Sequence, residues 1–340
     1  MSALAFIDVV QAGAHCSVQD QGRHGWRHLG VACAGALDPT QAAVANRLVG
    51  NPADAAVLEI AISGPVLAFA QPVRIALCGA EFAMRFESAD GQAYAVPDGR
   101  PVTLPPGTLR LGAVRPGSGG GGLRAWLAVA GGIDVPPVLG SRSTDLRGGF
   151  GGLEGRCLRA GDRLPLGPAP VCDAQQMRAT AWWVSLGDRH KGGDIAPIRY
   201  VPSSMAGLHA LADALDARAW RVSPRSDRQG LRCEGDGLIC ALPEQVSAPV
   251  APGTIQLPPD GCPIVLLADA QTIGGYPRLG FVLAADLPRL AQARPGEALR
   301  FAAVDRGQAA AANRKYRGQI ARLHWAVDLA LAREASPPSR

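Results

Sequence analysis

The stretch "AVLEIAISGPVLAFAQPVRIALCGAEFAMRF", residues 56–86, decides the fold. Its apolar residues recur mainly at every second position, and "SGP", "QP" and "CGA" cut it into short pieces. A helix interior would reject Pro65 and Pro72. A period of two belongs to strands with one face in a core. The same texture continues outward through "RAWLAVAGGIDVP" and "GDRLPLG", with "ADG" and "PDG" as further turns. The 42 glycines and 28 prolines of the 340-residue chain supply that punctuation throughout. Short strands at regular spacing predict a mainly β (α+β) protein built as barrels or sandwiches, with a few short helices.

On the N-terminal side, "DPTQAAVANRLVGNP" reads as a helix with Asp38 as N-cap and Pro39 in its first turn. Gly50 and Pro52 stop it, and Ala42, Ala45, Leu48 and Val49 form its core face. "PLGPAPVCDAQQMRAT", 165–180, has a linker composition and sets the expected division into 1–170, 171–305 and a basic helical segment, 306–340. The second part repeats the order strand, helix, strands in "IRYVP", "SSMAGLHALADAL" and "AWRVSPRSDRQGLRCEG" and closes near "EALRFAAVD", without a strong internal repeat. The final helix carries Ile320, Leu323, Val327 and Leu331 on one stripe, which packs on the body.

The formal charge of +5 sits in 306–340, where seven Lys and Arg face Asp328 and Glu334, so the rest is near neutral. A basic tail is not the charged face of a nucleic-acid binder. The eight cysteines form no C-x-x-C pair, and no His/Cys group has metal-ligand spacing. His15, His24 and His28 share one loop without helical spacing. The N-terminus lacks a signal-peptide pattern and no apolar run approaches a membrane span, so a cytoplasmic protein is expected. "GSGGGG", 117–122, meets the dinucleotide pattern only trivially, since a strand-like segment follows it. Of the two lysines, Lys191 and Lys315, neither lies in a P-loop or a biotin-acceptor setting, and no G-x-S-x-G occurs.

Five polar loops remain: 18–30, 140–152, 223–230, 253–261 and 269–278. Turns need Gly, Pro or Asn; they do not need Gln, Thr and Tyr as well. Polar groups on loops over a rigid scaffold are the usual way to build a site. Gln256, Asp269, Gln271, Thr272, Tyr276 and Arg278 flank the strand "CPIVLLA", and "SPRSDRQG" supplies Ser226, Asp227 and Arg228. The loops 253–261 and 269–278 are expected to be two walls of one pocket facing 223–230. Arginine's planar fork suits a carboxylate or phosphate, which singles out Arg23, Arg142, Arg228 and Arg278.

These loops carry a resemblance. "SVQDQGRHGWRHLGV…GALDP…ANRLVGN", "LAVAGGIDVPPVLGSRST…GFGG", "VSPRSDRQGLR" and "PGTIQLPPDGCPIVLLADAQTIGGYP" resemble the biotin-dependent carboxyltransferase family, also called allophanate hydrolase subunit 2, KipA or PxpC. The resemblance implies two cyclophilin-like β-barrel halves. It also implies partners of the KipI/PxpB type (the B component) and the LamB/YcsF type (the A component). For a chain of this length it implies the C component of an ATP-dependent 5-oxoprolinase, which opens 5-oxoproline to glutamate, with ATP held at an interface between components. On that reading Asp227, Arg228, Asp269 and Arg278 are the candidate catalytic residues. Arg142, Ser226, Gln256, Gln271, Thr272 and Tyr276 are the candidate substrate contacts, with no metal. Carboxyl transfer to urea, with biotin on a separate protein, and a non-enzymatic KipA-like antagonist of a histidine-kinase inhibitor are the alternatives. The family's S-G-A-M-D, A-D-R-Q-T and G-Q-P-I read "AGALD", "ADAQT" and "GCPI" here, placing Ala34, Ala270 and Cys262 at the departures.

Overall fold

Alternation becomes burial in the strand Phe82–Ser88, where every second side chain is inside. The structure, a computed structural model, describes residues 5–115, 122–170, 174–185, 196–204, 208–239 and 246–335. Residues 117–121 of the glycine-rich stretch and Lys191 lie outside the described residues. In the first half two six-stranded antiparallel sheets face each other. One runs, in spatial order, through 163–165, 6–11, 66–69, 107–114, 82–88 and 93–95; the other through 178–179, 102–104, 73–79, 124–129, 57–61 and 15–19. Ile7, Leu67, Phe86 and Leu109 of the first sheet meet Ile60, Ile75, Leu77 and Leu127 of the second in one apolar core.

The second half is an eight-stranded sheet ordered 298–299, 220–222, 230–234, 264–266, 254–256, 278–282, 198–202, 301–303. Its two terminal strands, Ala298–Leu299 and Phe301–Ala303, are separated in sequence only by Arg300. Neighbours in the chain at opposite ends of the order require the sheet to curl until its edges nearly meet. The expected barrel character thus follows from connectivity alone. The first half also runs past residue 170, because Arg178–Ala179 pairs with Val102–Thr103 and Val184 N–H donates to Gly99 C=O at 2.7 Å. The linker-like composition there belongs to an edge strand and its approach.

The helix Pro39–Leu48 is capped as its sequence requires: Asp38 Oδ1 accepts from Thr40 N (3.0 Å) and Gln41 N (3.1 Å). A single core face was expected, but Gln41 through Asn46 and Leu48 are all buried. The cause is a second covering layer. One side of the helix packs on the sheet around Trp126 and Ala128, and the C-terminal helix Arg306–Ala335 closes the other. Val327 is fully buried there, with Leu323 and Leu331 beside it; Ile320 is only half-buried. Tyr316 OH meets Thr40 Oγ1 at 2.7 Å, Asp328 accepts from Arg47 at 2.7 Å, and Glu334 pairs with Arg74 at 3.1 Å. The resulting core includes Leu48 and Trp126 of the first half together with Tyr200, Trp220 and Leu279 of the second. Among the described residues no helix is long and apolar enough to cross a membrane.

Val327→Asp places an unpaired charge in this seam. Thermal unfolding should show a loss of several kcal/mol, whereas the exposed Trp325→Ala should stay within about 0.5 kcal/mol of the parent.

Candidate functional site

Two neighbouring strands of the second half, Gly230–Glu234 and Ile264–Leu266, pair antiparallel with Gly230 opposite Leu266 and Arg232 opposite Ile264. Because side chains alternate, Leu231, Cys233 and Val265 point into the core. Gly230, Arg232, Ile264 and Leu266 line the other face, the floor of a cleft of about 320 Å³. Pro258, Pro259 and Asp260 rise at one end, Gln271 and Tyr276 at the other, and Asp227 and Gln229 complete the lining. The strand "CPIVLLA" therefore runs along the cleft floor, and the loops at its two ends become walls. The three loops 223–230, 253–261 and 269–278 do meet around one pocket.

Each wall is locally fixed. Asp227 Oδ1 accepts from the backbone N–H of Gln229 (2.8 Å) and Gly230 (3.1 Å), a turn that presents its own side chain to solvent. Ser226 Oγ accepts from Arg232 N at 3.0 Å, tying the turn to the floor strand. Gln271 Nε2 donates to Gln256 Oε1 at 3.2 Å. Gln256 is buried, its Nε2 has no hydrogen-bond partner, and a Cβ on Gly274 would sit 2.5 Å from that nitrogen, so a larger residue there would have to displace the Gln256 amide. Thr272 is buried, and its carbonyl accepts from Val250 N at 3.0 Å. Loop 18–30 of the first half braces this end, since Arg27 Nη2 donates to Gln271 C=O at 3.1 Å.

The remaining candidates stand elsewhere. Arg228 is buried behind the cleft, with every nitrogen engaged. Nε and Nη2 form a two-pronged pair with Asp269, each at 2.9 Å; Nη1 bonds Glu59 Oε1, and Nη2 also donates to Gly35 C=O at 2.6 Å. Neither Arg228 nor Asp269 lines the cleft. Arg278 is half-buried at the register position of Gln256 and donates to Pro249 C=O at 3.2 Å. Arg142 pairs on the surface with Asp134 at 2.8 Å and is also absent from the cleft lining. Its loop interlocks with 18–30: Asp20 Oδ1 accepts from Gly22 N (2.8 Å) and Ser141 Oγ (2.6 Å), and buried Arg23 stacks on Phe150 at 4.7 Å. Among the described residues no group of three or more His, Cys, Asp or Glu is placed to hold a metal ion.

Glu59 is the residue the loops did not announce. It lies mid-strand in "VLEIA", fully buried, and also accepts from Leu37 N (2.8 Å) and Trp126 Nε1 (2.9 Å). Burial alone would raise its pKa, but the Arg228 and Arg124 charges and the Leu37 N–H hold it below the ordinary carboxylate range. For Asp269 burial prevails over Arg228 and raises the pKa. The signal for Glu59 was a lone carboxylate inside an apolar strand, a charge that must find a partner. The signal for Arg232 was its place two residues after Gly230 in a strand of period two. Of the family departures, Ala34 donates its N–H across to Ala268 C=O at 3.0 Å, and Ala270 is fully buried against Val250 and Leu266. Half-buried Cys262 sits at the end of the Asp260 wall.

A two-part, mainly β protein with a polar cleft on the outer face of a curled sheet is the class these features define. Residues 29–303 match the family model "Carboxyltransferase domain, subdomain A and B", and the chain belongs to that family. It is 38% identical to the C subunit of 5-oxoprolinase from Escherichia coli, over 94% of this chain and 98% of that one. The counterpart of Haemophilus influenzae is 34% identical over 93% and 98%. Urea amidolyase of Saccharomyces cerevisiae is 29% identical over 87% of this chain but only 16% of its own length. Among solved structures, TTHA0988 superposes with a TM-score of 0.72 at 37% identity, covering 89% of this chain and 56% of that one. The Kluyveromyces lactis urea amidolyase gives 0.77 at 26%, covering 94% and 20%.

Arg228→Ala would leave two buried carboxylates facing each other. It should lower stability by about 3–5 kcal/mol in denaturant unfolding, while Arg278→Ala, which loses one partly exposed bond, should cost no more than about 1 kcal/mol.

Proposed function

We propose that this chain is the C component of an ATP-dependent 5-oxoprolinase, opening 5-oxoproline to glutamate together with its A and B partner components. The observation that carries the reading is the breadth of the match: 94% of this chain and 98% of the C subunit of Escherichia coli 5-oxoprolinase are covered at 38% identity. The urea amidolyase and urea carboxylase relatives support carboxyl transfer as a second reading. There the chain corresponds to a segment of a much larger protein, and biotin would have to arrive on a separate carrier.

The cleft suits a small polar substrate, lying at the lower end of the roughly 300–1,000 Å³ range of ligand pockets. Arg232 is the one arginine among the described lining residues and takes the role of clamp for the substrate carboxylate, in place of Arg142, the candidate substrate contact that lies outside the cleft. The Gln271 amide and the Tyr276 hydroxyl offer donors to the lactam carbonyl, and Asp227 is placed to take or return a proton. A lactam is a resonance-stabilised amide. Transfer of the ATP γ-phosphoryl group to its oxygen leaves a carbon that water attacks. The C–N bond breaks with a proton going to the leaving nitrogen, which gives an acyl phosphate, and a second water hydrolyses that to glutamate and phosphate. Among the described lining residues Asp227 and Asp260 stand against Arg232 alone, which makes the cleft a poor seat for a triphosphate. The nucleotide is therefore assigned to a surface completed by the partner components, and the chain is proposed to work in the cytoplasm.

Purified alone, the chain should release no glutamate from 5-oxoproline; with both partners it should do so only when ATP is present. Turnover by the single chain would overturn the reading. In the complex, Arg232→Ala should raise KM for 5-oxoproline by about 10- to 100-fold, the value of one charged hydrogen bond, with the melting temperature unchanged.

A further inference from the structure

Arg228 is flanked in sequence by Asp227 and Gln229, both of which line the cleft, while its partner Asp269 lies two residues before Gln271, which also lines it. The guanidinium thus ties the roots of two walls together from behind. Backbone bonds run the same way: Asp269 N donates to Arg228 C=O at 3.0 Å, and Leu267 N to Gln229 C=O at 2.9 Å. The remaining prong of the guanidinium holds Glu59, which belongs to the other half of the molecule and is absent from the cleft lining. Glu59 is in turn fixed by Leu37 N and Trp126 Nε1, so it is a rigid anchor and not a floating charge.

We propose that Glu59 is a positioning residue for the cleft: through Arg228 it sets the spacing between the Asp227–Gln229 wall and the Gln271–Tyr276 wall. A guanidinium shared between two carboxylates has its plane fixed by both, because each prong prefers a linear N–H···O geometry. Removing the charge of Glu59 leaves only the neutral Gly35 carbonyl to hold Arg228 from the first half. Asp269, its one remaining charged partner, belongs to the wall itself, so the pair can shift together. The consequence for substrate binding rests on the function proposed above; the consequence for the walls does not.

Hydrogen–deuterium exchange on the full chain reads the walls without any substrate. Glu59→Gln keeps an oxygen able to accept from Leu37 N and Trp126 Nε1, so the first half should stay folded. The amides of Gln229, Gly230, Asp269 and Ala270 should exchange about tenfold faster than in the parent, while those of Val57–Ala61 and Arg124–Val129 keep their rates. Unchanged wall rates, or equal acceleration in both regions, would overturn the proposal. In the assembled complex Glu59→Gln should raise KM for 5-oxoproline about tenfold, and that increase should vanish in a Gln271→Ala background. Additive effects of the two substitutions would mean that Glu59 acts on stability alone. A parent complex that fails to open 5-oxoproline would count against the function, and the exchange measurement would still decide the role of Glu59.

Discussion

One guanidinium, that of Arg228, is held between carboxylates from the two halves of the chain, and the site is arranged around it. A charge so buried is tolerable only when every prong is satisfied. Here Asp269, Glu59 and the Gly35 carbonyl meet that condition together. Such a network adds little net stability over an apolar filling of the same shape. What it adds is geometry, because the halves can dock in only one register without stranding a charge. The Ala34–Ala268 and Arg27–Gln271 bonds lie in that same register and depend on it.

Around this polar point the seam is apolar. The helix Pro39–Leu48 is buried on nearly all sides because it fills the space between the first half's sheet, the second half and the C-terminal helix. A basic segment that reads as a tail is therefore a lid on the common core, seated by Val327 and by polar contacts to the first half at Tyr316, Asp328 and Glu334. The cleft opens on the opposite face of the second half's strands, where side chains alternate away from that core. One set of strands thus gives the molecule its seam on one face and its candidate site on the other.

Much of this was legible in the residues. Period-two burial, the Asp38–Pro39 cap and the meeting of three polar loops follow from local chemistry that tertiary structure has no reason to override. What was not legible were the pairings across the chain. Loops of equal polarity divide into two kinds: 18–30 and 140–152 spend their side chains largely on each other through Asp20 and Arg23, while 223–230, 253–261 and 269–278 build a cleft. Arg228 looks like a catalytic residue until Glu59, 169 positions away, is seen to hold it. Arg232 looks like an ordinary exposed strand residue until its register opposite Ile264 puts it on the cleft floor. Sequence shows which residues are polar; only the register shows which of them still face solvent.

Differential scanning calorimetry of the intact chain tests the central claim, that the halves form one cooperative body joined at the Arg228 seam. A shared core and a shared charge network predict a single transition whose calorimetric and van't Hoff enthalpies agree. Two resolved transitions, or a calorimetric enthalpy well above the van't Hoff value, would show that the halves unfold independently and that the seam does not hold the cleft.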